Sequence, residues 1–176
     1  THFGIGSRLL RERALQLVRE TGMNSLVIDV KGDRGYLSYK YDVPLAAEIG
    51  AQRIITVKDI GGLMKSLKEK EIYTIARIVV FNDNPLALAR PDLAIRTQSG
   101  EIWRDRDNLA WVDPFKKEVW DYNIQIAVEA AQYGFDEIQF DYVRFPDAVP
   151  PRFSMPNTRE NRVKTISGFL MEARKR

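Results

Sequence analysis

The sequence predicts an α/β fold in which parallel strands carry helices on their outer side. Three observations lead there. Helix-like and strand-like segments alternate as α, β, α, β, α, β, α along the 176 residues. Links from helix to strand are short, whereas links from strand to helix are long. Each strand sets apolar residues at every second position and polar ones between them.

The elements follow in order. Residues 7–21 (SRLLRERALQLVRET) have an N-cap serine, Ser7, and an apolar stripe of Leu10, Ala14, Leu17 and Val18, which predicts an amphipathic helix. Gly22 suits its C-terminal turn. Residues 24–30 (NSLVIDV) form a short β-branched strand, followed by a turn at KGDRGYLSY and a partly helical loop, DVPLAAEIGAQ. Residues 58–70 form the second helix despite Gly61-Gly62, and residues 73–80 (YTIARIVV) the second strand. NPLALARPDL is a helical turn, and 94–97 with 101–103 a small hairpin around QSG. Asp113-Pro114 predicts a helix start, acid at the N-cap and proline in the first turn, with the helix running to Gln132. Gly134 closes it, and GFDEIQFDYVRFPD is the third strand. Asn157-Thr158-Arg159-Glu160 reads as a capping box that opens the last helix.

Composition excludes several chemistries. The chain has no cysteine and one histidine, His2, so thiolate sites, multi-histidine metal sites and a Ser-His-Asp triad are not expected. The net charge is +3, and basic residues are interspersed with acids (RLLRER, KSLKEKE, WRDRD), the pattern of a solvated surface rather than a nucleic-acid stripe. No apolar run approaches the ~18 residues of a membrane span, and no secretory signal is visible. THFGIGS does not satisfy GxGxxG and follows no strand, so no nucleotide cofactor is expected.

The candidate site comes from the strand ends. In parallel α/β folds, both the (β/α) barrel and the doubly wound sheet, function gathers at the C-terminal ends of strands. Leu26/Ile28/Val30, Ala76/Ile78/Val80 and Ile138/Phe140/Tyr142 read as the helix-facing sides. The opposite sides carry Asp29 and Lys31 with Val27, Arg77 with Val79 and Phe81, and Gln139 with Asp141. Carboxylates inside a sheet are costly unless paired or solvated, and Arg77 lies on the strand between the two aspartates. Paired carboxylates serve glycoside hydrolysis, one protonating the leaving oxygen while the other attacks or activates water. Trp103, Trp111 and Tyr142 could offer ring faces to sugars, with packing as the alternative for both tryptophans; Trp120 reads as core. Asn82 and Asp83, just beyond a strand, are placed for polar contact with a ligand. Asp33 reads as a turn residue. Oxygen ligation of a metal by Asp29, Asp33 and Asp141 has no recognised spacing behind it. A buried Asp–Arg pair that only fixes packing is the competing reading.

NSLVIDVKGDRGYLSY, YTIARIVVFNDNPLA, ARPDLAIR, GEIWRDRDNLAWVDPFKKEVWDYN and GFDEIQFDYVRFP occur in that order with matching gaps. Together they resemble the "Putative glycosyl hydrolase domain" family of bacterial TIM-barrel, glycoside-hydrolase-like domains, over nearly the whole chain. The resemblance implies a (β/α) TIM-type barrel occupying residues 1–176 as one domain. It also implies a polysaccharide substrate, with an extracytoplasmic or cell-envelope setting. It makes Asp141 the leading catalytic candidate, flanked by Tyr142 and Arg144, with Arg77 beside it and Asp29 the acid on the strand before. Three strands and four helices are expected here rather than eight of each. The chain thus reads as part of a barrel, with remaining barrel segments as its partner and a second carboxylate brought by a later strand. A non-catalytic carbohydrate-binding barrel and a structural scaffold are the alternatives.

Overall fold

A computed structural model describes residues 2–147 and 152–176. The strands are β1 (Ser25–Lys31), β2 (Tyr73–Val79) and β3 (Glu137–Asp141), all parallel in the order β1-β2-β3. The helices are α1 (His2–Gly6), α2 (Arg8–Glu20), α3 (Pro44–Glu48), α4 (Ile60–Lys68), α5 (Asn84–Ala89), α6 (Lys117–Gln132) and α7 (Arg159–Lys175). The mixed α/β architecture with parallel strands agrees with the alternation in the sequence.

The helix-facing side of the sheet holds the core. Ile28, Ala76 and Ile78 are almost wholly buried there. Against them α6 packs Val119, Ile126 and Ala130, with Trp120 closing the layer. Phe169 of α7 has no exposed surface and touches the rings of Phe81, Trp120 and Phe140 at 5.0–6.0 Å. The opposite side is open: Val27 is 49% exposed and Gln139 is exposed, so polar groups there meet solvent.

Several expectations need correction. Only half of the stripe proposed for the first helix is covered, Ala14 and Val18 but not Leu10 and Leu17. No residue of α2 is buried, Leu10 and Leu17 are exposed, and Leu15 with Val18 makes the contact with the core. Asp113 does not cap α6, which begins at Lys117 without a side-chain cap. Its carboxylate instead accepts from the Phe115 and Ser154 amides, because the chain still turns at Pro114 before it can wind. The last helix starts one residue later than the capping box expected over Asn157 to Glu160: Thr158 rather than Asn157 is its cap and accepts from the Asn161 amide. Asn161 rather than an acid holds the third helical position, so the reciprocal half of a capping box is missing.

Phe81 and Lys31 were assigned to the inner side but lie on the helix side. Phe81 follows the end of β2 and packs on Phe169. For Lys31 the cause is a bulge: Asp29 pairs with Arg77, but Lys31 pairs with Ile78, so one extra residue of β1 reverses the alternation. The Lys31 ammonium then sits fully buried, 2.6 Å from Asp83 and 2.8 Å from the Asn123 carboxamide oxygen. Burial lowers its pKa while Asp83 works to raise it.

Candidate active site

The open side of the sheet gathers three acids around one guanidinium. Register places Asp29 and Gln139 on either side of Arg77, with Asp141 one pleat further along β3, beside Val79. Arg77 donates from Nη1 to Asp29 Oδ1 at 3.0 Å and from Nε to Asp141 Oδ2 at 2.8 Å. Its Nη2 lies 2.6 Å from the same Asp141 oxygen and donates to Asp33 Oδ1 at 2.8 Å. The side chains of Arg77 and Asp29 are 18% and 12% exposed, whereas those of Asp141 and Asp33 are 43% and 58% exposed. The inner acid is therefore an anchor and the outer two face solvent.

Asp33 was expected only to make a turn. It does so, since Gly35 N–H donates to Gly32 C=O and Gly32 N–H to Tyr36 C=O, but that turn also delivers its carboxylate to Arg77. The loop is fixed by Gly35, at φ +78°. A Cβ on Gly35 would stand 2.5 Å from Asp83 Oδ1 and 2.6 Å from Pro85. A carboxylate two residues beyond a strand, in a glycine-bounded turn, was the available sequence signal.

The electrostatics follow from the geometry. Burial would raise the Asp141 pKa, but the Tyr142 amide on Oδ1 and Arg77 on Oδ2 outweigh it, and the carboxyl is held below its usual range. Burial would likewise lower the Arg77 pKa. Its hydrogen bonds to Asp33, Asp141 and Asp29 reverse that and hold it above the ordinary guanidinium value. Three carboxylates share this one guanidinium, and Arg144 also acts on Asp141 to hold it ionised. Among the described residues no group of three or more acids or histidines is arranged to hold a metal ion. Arg77 occupies the point on which Asp29, Asp33 and Asp141 converge.

The remaining candidates divide into a groove and the interior. β3 ends at Asp141, and Tyr142 takes a φ of +52°. That turn withdraws Tyr142 from the helix-facing row expected for it and carries its ring to Trp111, 5.7 Å away. Trp111 is 2% exposed, donates from Nε1 to Asp105 and meets Trp103 edge-on at 6.4 Å. Arg144 lies over both Trp111 and Tyr142, 5.1 and 5.4 Å from their ring centres. These rings, with Asn82 at the floor, line a groove of about 650 Å³. It begins where the acid cluster ends, since Tyr142 follows Asp141 directly. Asp83 is not available to a ligand: it is fully buried, bound to Lys31, and caps α5 by accepting from the Leu86 amide. Trp120 is core, as expected, donating to Pro114 C=O. No helix among the described residues is long and apolar enough to cross a membrane.

Known structures with the same fold include glycoside hydrolases. A hypothetical protein from Ruminiclostridium thermocellum ATCC 27405 is 36% identical with a TM-score of 0.88, over 99% of this chain and 89% of that one. An α-galactosidase from Thermus thermophilus is 19% identical with a TM-score of 0.62, over 97% of this chain and 34% of its own. An α-L-fucosidase from Paenibacillus thiaminolyticus is 15% identical with a TM-score of 0.68, over 94% of this chain and 27% of its own. The chain thus spans about a third or less of those two enzymes, and at such identities the likeness speaks for fold alone. No curated protein matches the sequence. The family described as "Putative glycosyl hydrolase domain" matches over residues 1–176, and the chain belongs to it.

Proposed function

We propose that the chain is the acid-bearing portion of a (β/α) barrel that hydrolyses a polysaccharide, with Asp141 at the reacting centre. The observation that carries this is the convergence of Asp29, Asp33 and Asp141 on Arg77 at the C-terminal ends of parallel strands. Glycosidic cleavage passes through an oxocarbenium-like state that gains positive charge, which an anionic cluster stabilises more than it stabilises the neutral ground state. Asp141 reaches solvent from a strand end and is held as a carboxylate, which suits a nucleophile or charge stabiliser rather than a proton donor. In that role an Asp141 oxygen bonds the anomeric carbon as the bond to the leaving oxygen breaks. The proton for the leaving oxygen comes from a second carboxyl contributed by the remaining barrel segments. Asp29 and Asp33 are positioning residues: they hold Arg77, which fixes the charge and direction of Asp141.

The likeness to an α-galactosidase and an α-L-fucosidase supports this reading at the level of scaffold. The test is a glycan-cleavage screen of the full-length protein beside its Asp141→Asn variant. The expected loss is ~10²–10⁴-fold, the range for a group acting on the reacting centre; unchanged cleavage overturns the assignment. A second reading, recognition without cleavage, draws on both Asp141 oxygens being already engaged, one by Tyr142 N–H and one by Arg77. It predicts glycan binding with no turnover in either protein.

A further inference from the structure

The groove beside the acid cluster contains an unsatisfied group. Asn82 is 3% exposed, lines the groove, and its carboxamide oxygen has no partner among the described residues. Buried amides of native proteins are ordinarily paired, and an unpaired one is destabilising. That oxygen is itself sealed from solvent, so it meets a ligand in the groove only once the amide has turned about χ2. It can then meet a hydroxyl, which is itself both donor and acceptor. Around it stand the Trp103, Trp111 and Tyr142 rings, of which Trp103 and Tyr142 are only half-buried. Arg144 lies over the Trp111 and Tyr142 rings and leaves that of Trp103 uncovered by it.

Charge decides among saccharides. Along the groove Arg104, Arg106 and Arg144 are matched by Asp105, Asp107 and Asp147, so the groove itself carries no net charge. In the adjoining cluster three carboxylates share the Arg77 guanidinium. A uronate or phosphorylated sugar would be repelled, and nothing in the groove offers a surplus of cations to compensate.

We infer that this groove is a binding subsite for an uncharged pyranose of the polysaccharide chain, stacked on Trp103 and Tyr142 and hydrogen-bonded by Asn82. The inference rests on the proposed glycan substrate but not on Asp141 being catalytic. It is tested by titrating the protein with neutral hexasaccharides (maltohexaose, cellohexaose, mannohexaose and xylohexaose), with hexagalacturonate as the anionic counterpart. Binding is followed by tryptophan fluorescence and calorimetry. At least one neutral hexasaccharide is expected to bind. Trp103→Ala and Asn82→Leu should each weaken it about tenfold or more while thermal unfolding midpoints show whether the fold is kept. Should Asn82→Leu fail to fold, Trp103→Ala alone decides, because its half-exposed ring is removed without emptying the core. Asp141→Asn is expected to retain binding. No neutral binding, equal or tighter binding of hexagalacturonate, or binding indifferent to Trp103→Ala overturns the subsite. Loss of hydrolysis with binding intact supports both readings, whereas binding intact with hydrolysis unchanged in Asp141→Asn removes the catalytic assignment and leaves the subsite standing.

Discussion

Replacing Arg77 by leucine removes the guanidinium that Asp29, Asp33 and Asp141 share. Asp29 is the costly partner, because its side chain is only 12% exposed and water cannot fully replace the guanidinium. Breaking a buried pair from one side costs about 3–5 kcal/mol. Partial solvent access brings the Asp29 share to roughly 2–3 kcal/mol, towards the range of surface pairs. Asp141 and Asp33 are far more exposed and contribute at most about 0–1 kcal/mol each. The expected destabilisation at pH 7 is therefore about 3 kcal/mol, a fall of roughly 1–2 M in the urea midpoint with an m-value near ~2 kcal/mol/M. Asp141 supplies the pH dependence. Its folded pKa is depressed, so its contribution is present above the ordinary carboxylate range and is lost as pH falls through the depressed value. The gap between variant and wild type should therefore hold from neutral pH down to the ordinary carboxylate range near pH ~4 and narrow below it. Urea unfolding followed by tryptophan fluorescence at several pH values measures this. A loss under about 1 kcal/mol, or one that does not change with pH, would refute the hub role of Arg77.

Other outcomes follow from the interior. Lys31→Met strands the buried Asp83 and should destabilise by about 3–5 kcal/mol. Adding Asp83→Asn should restore much of that, since asparagine keeps the cap on α5 without the charge; unfolding curves of the two variants check it. Phe169→Ala removes the ring shared by Phe81, Trp120 and Phe140 and is expected to cost about 3–5 kcal/mol, read from the shift in denaturant midpoint. Gly35→Ala forces a Cβ onto Asp83 and Pro85 at a φ of +78°. It should destabilise by about 1–3 kcal/mol and lower any cleavage activity by displacing Asp33.

The sequence by itself determined the order of the three strands and the four longer helices, the parallel sheet and the helix-facing rows of Ile28, Ala76, Ile78, Ile138 and Phe140, because a period of two is local and survives without knowledge of neighbours; the short α1, α3 and α5, which bring the helices to seven among the described residues against the four expected, carry too few residues to show a period. It also placed Asp29, Arg77, Gln139 and Asp141 on one side, since three adjacent strands repeat that alternation. Residues beyond strand ends or bulges escaped the pattern. A one-residue bulge sent Lys31 to the helix side, the end of β2 freed Phe81 to follow it, and a left-handed turn carried Tyr142 the other way, into the groove. Tertiary structure alone decided that Asp33 joins Arg77, that Asp83 is sealed beneath Gly35 while its neighbour Asn82 faces a groove, and that Leu10 and Leu17 stay exposed. The physical reason is one of range: alternation is fixed by bonds between successive residues, whereas charge pairing and burial are fixed by partners more than forty positions away, as Asp33 and Arg77 are.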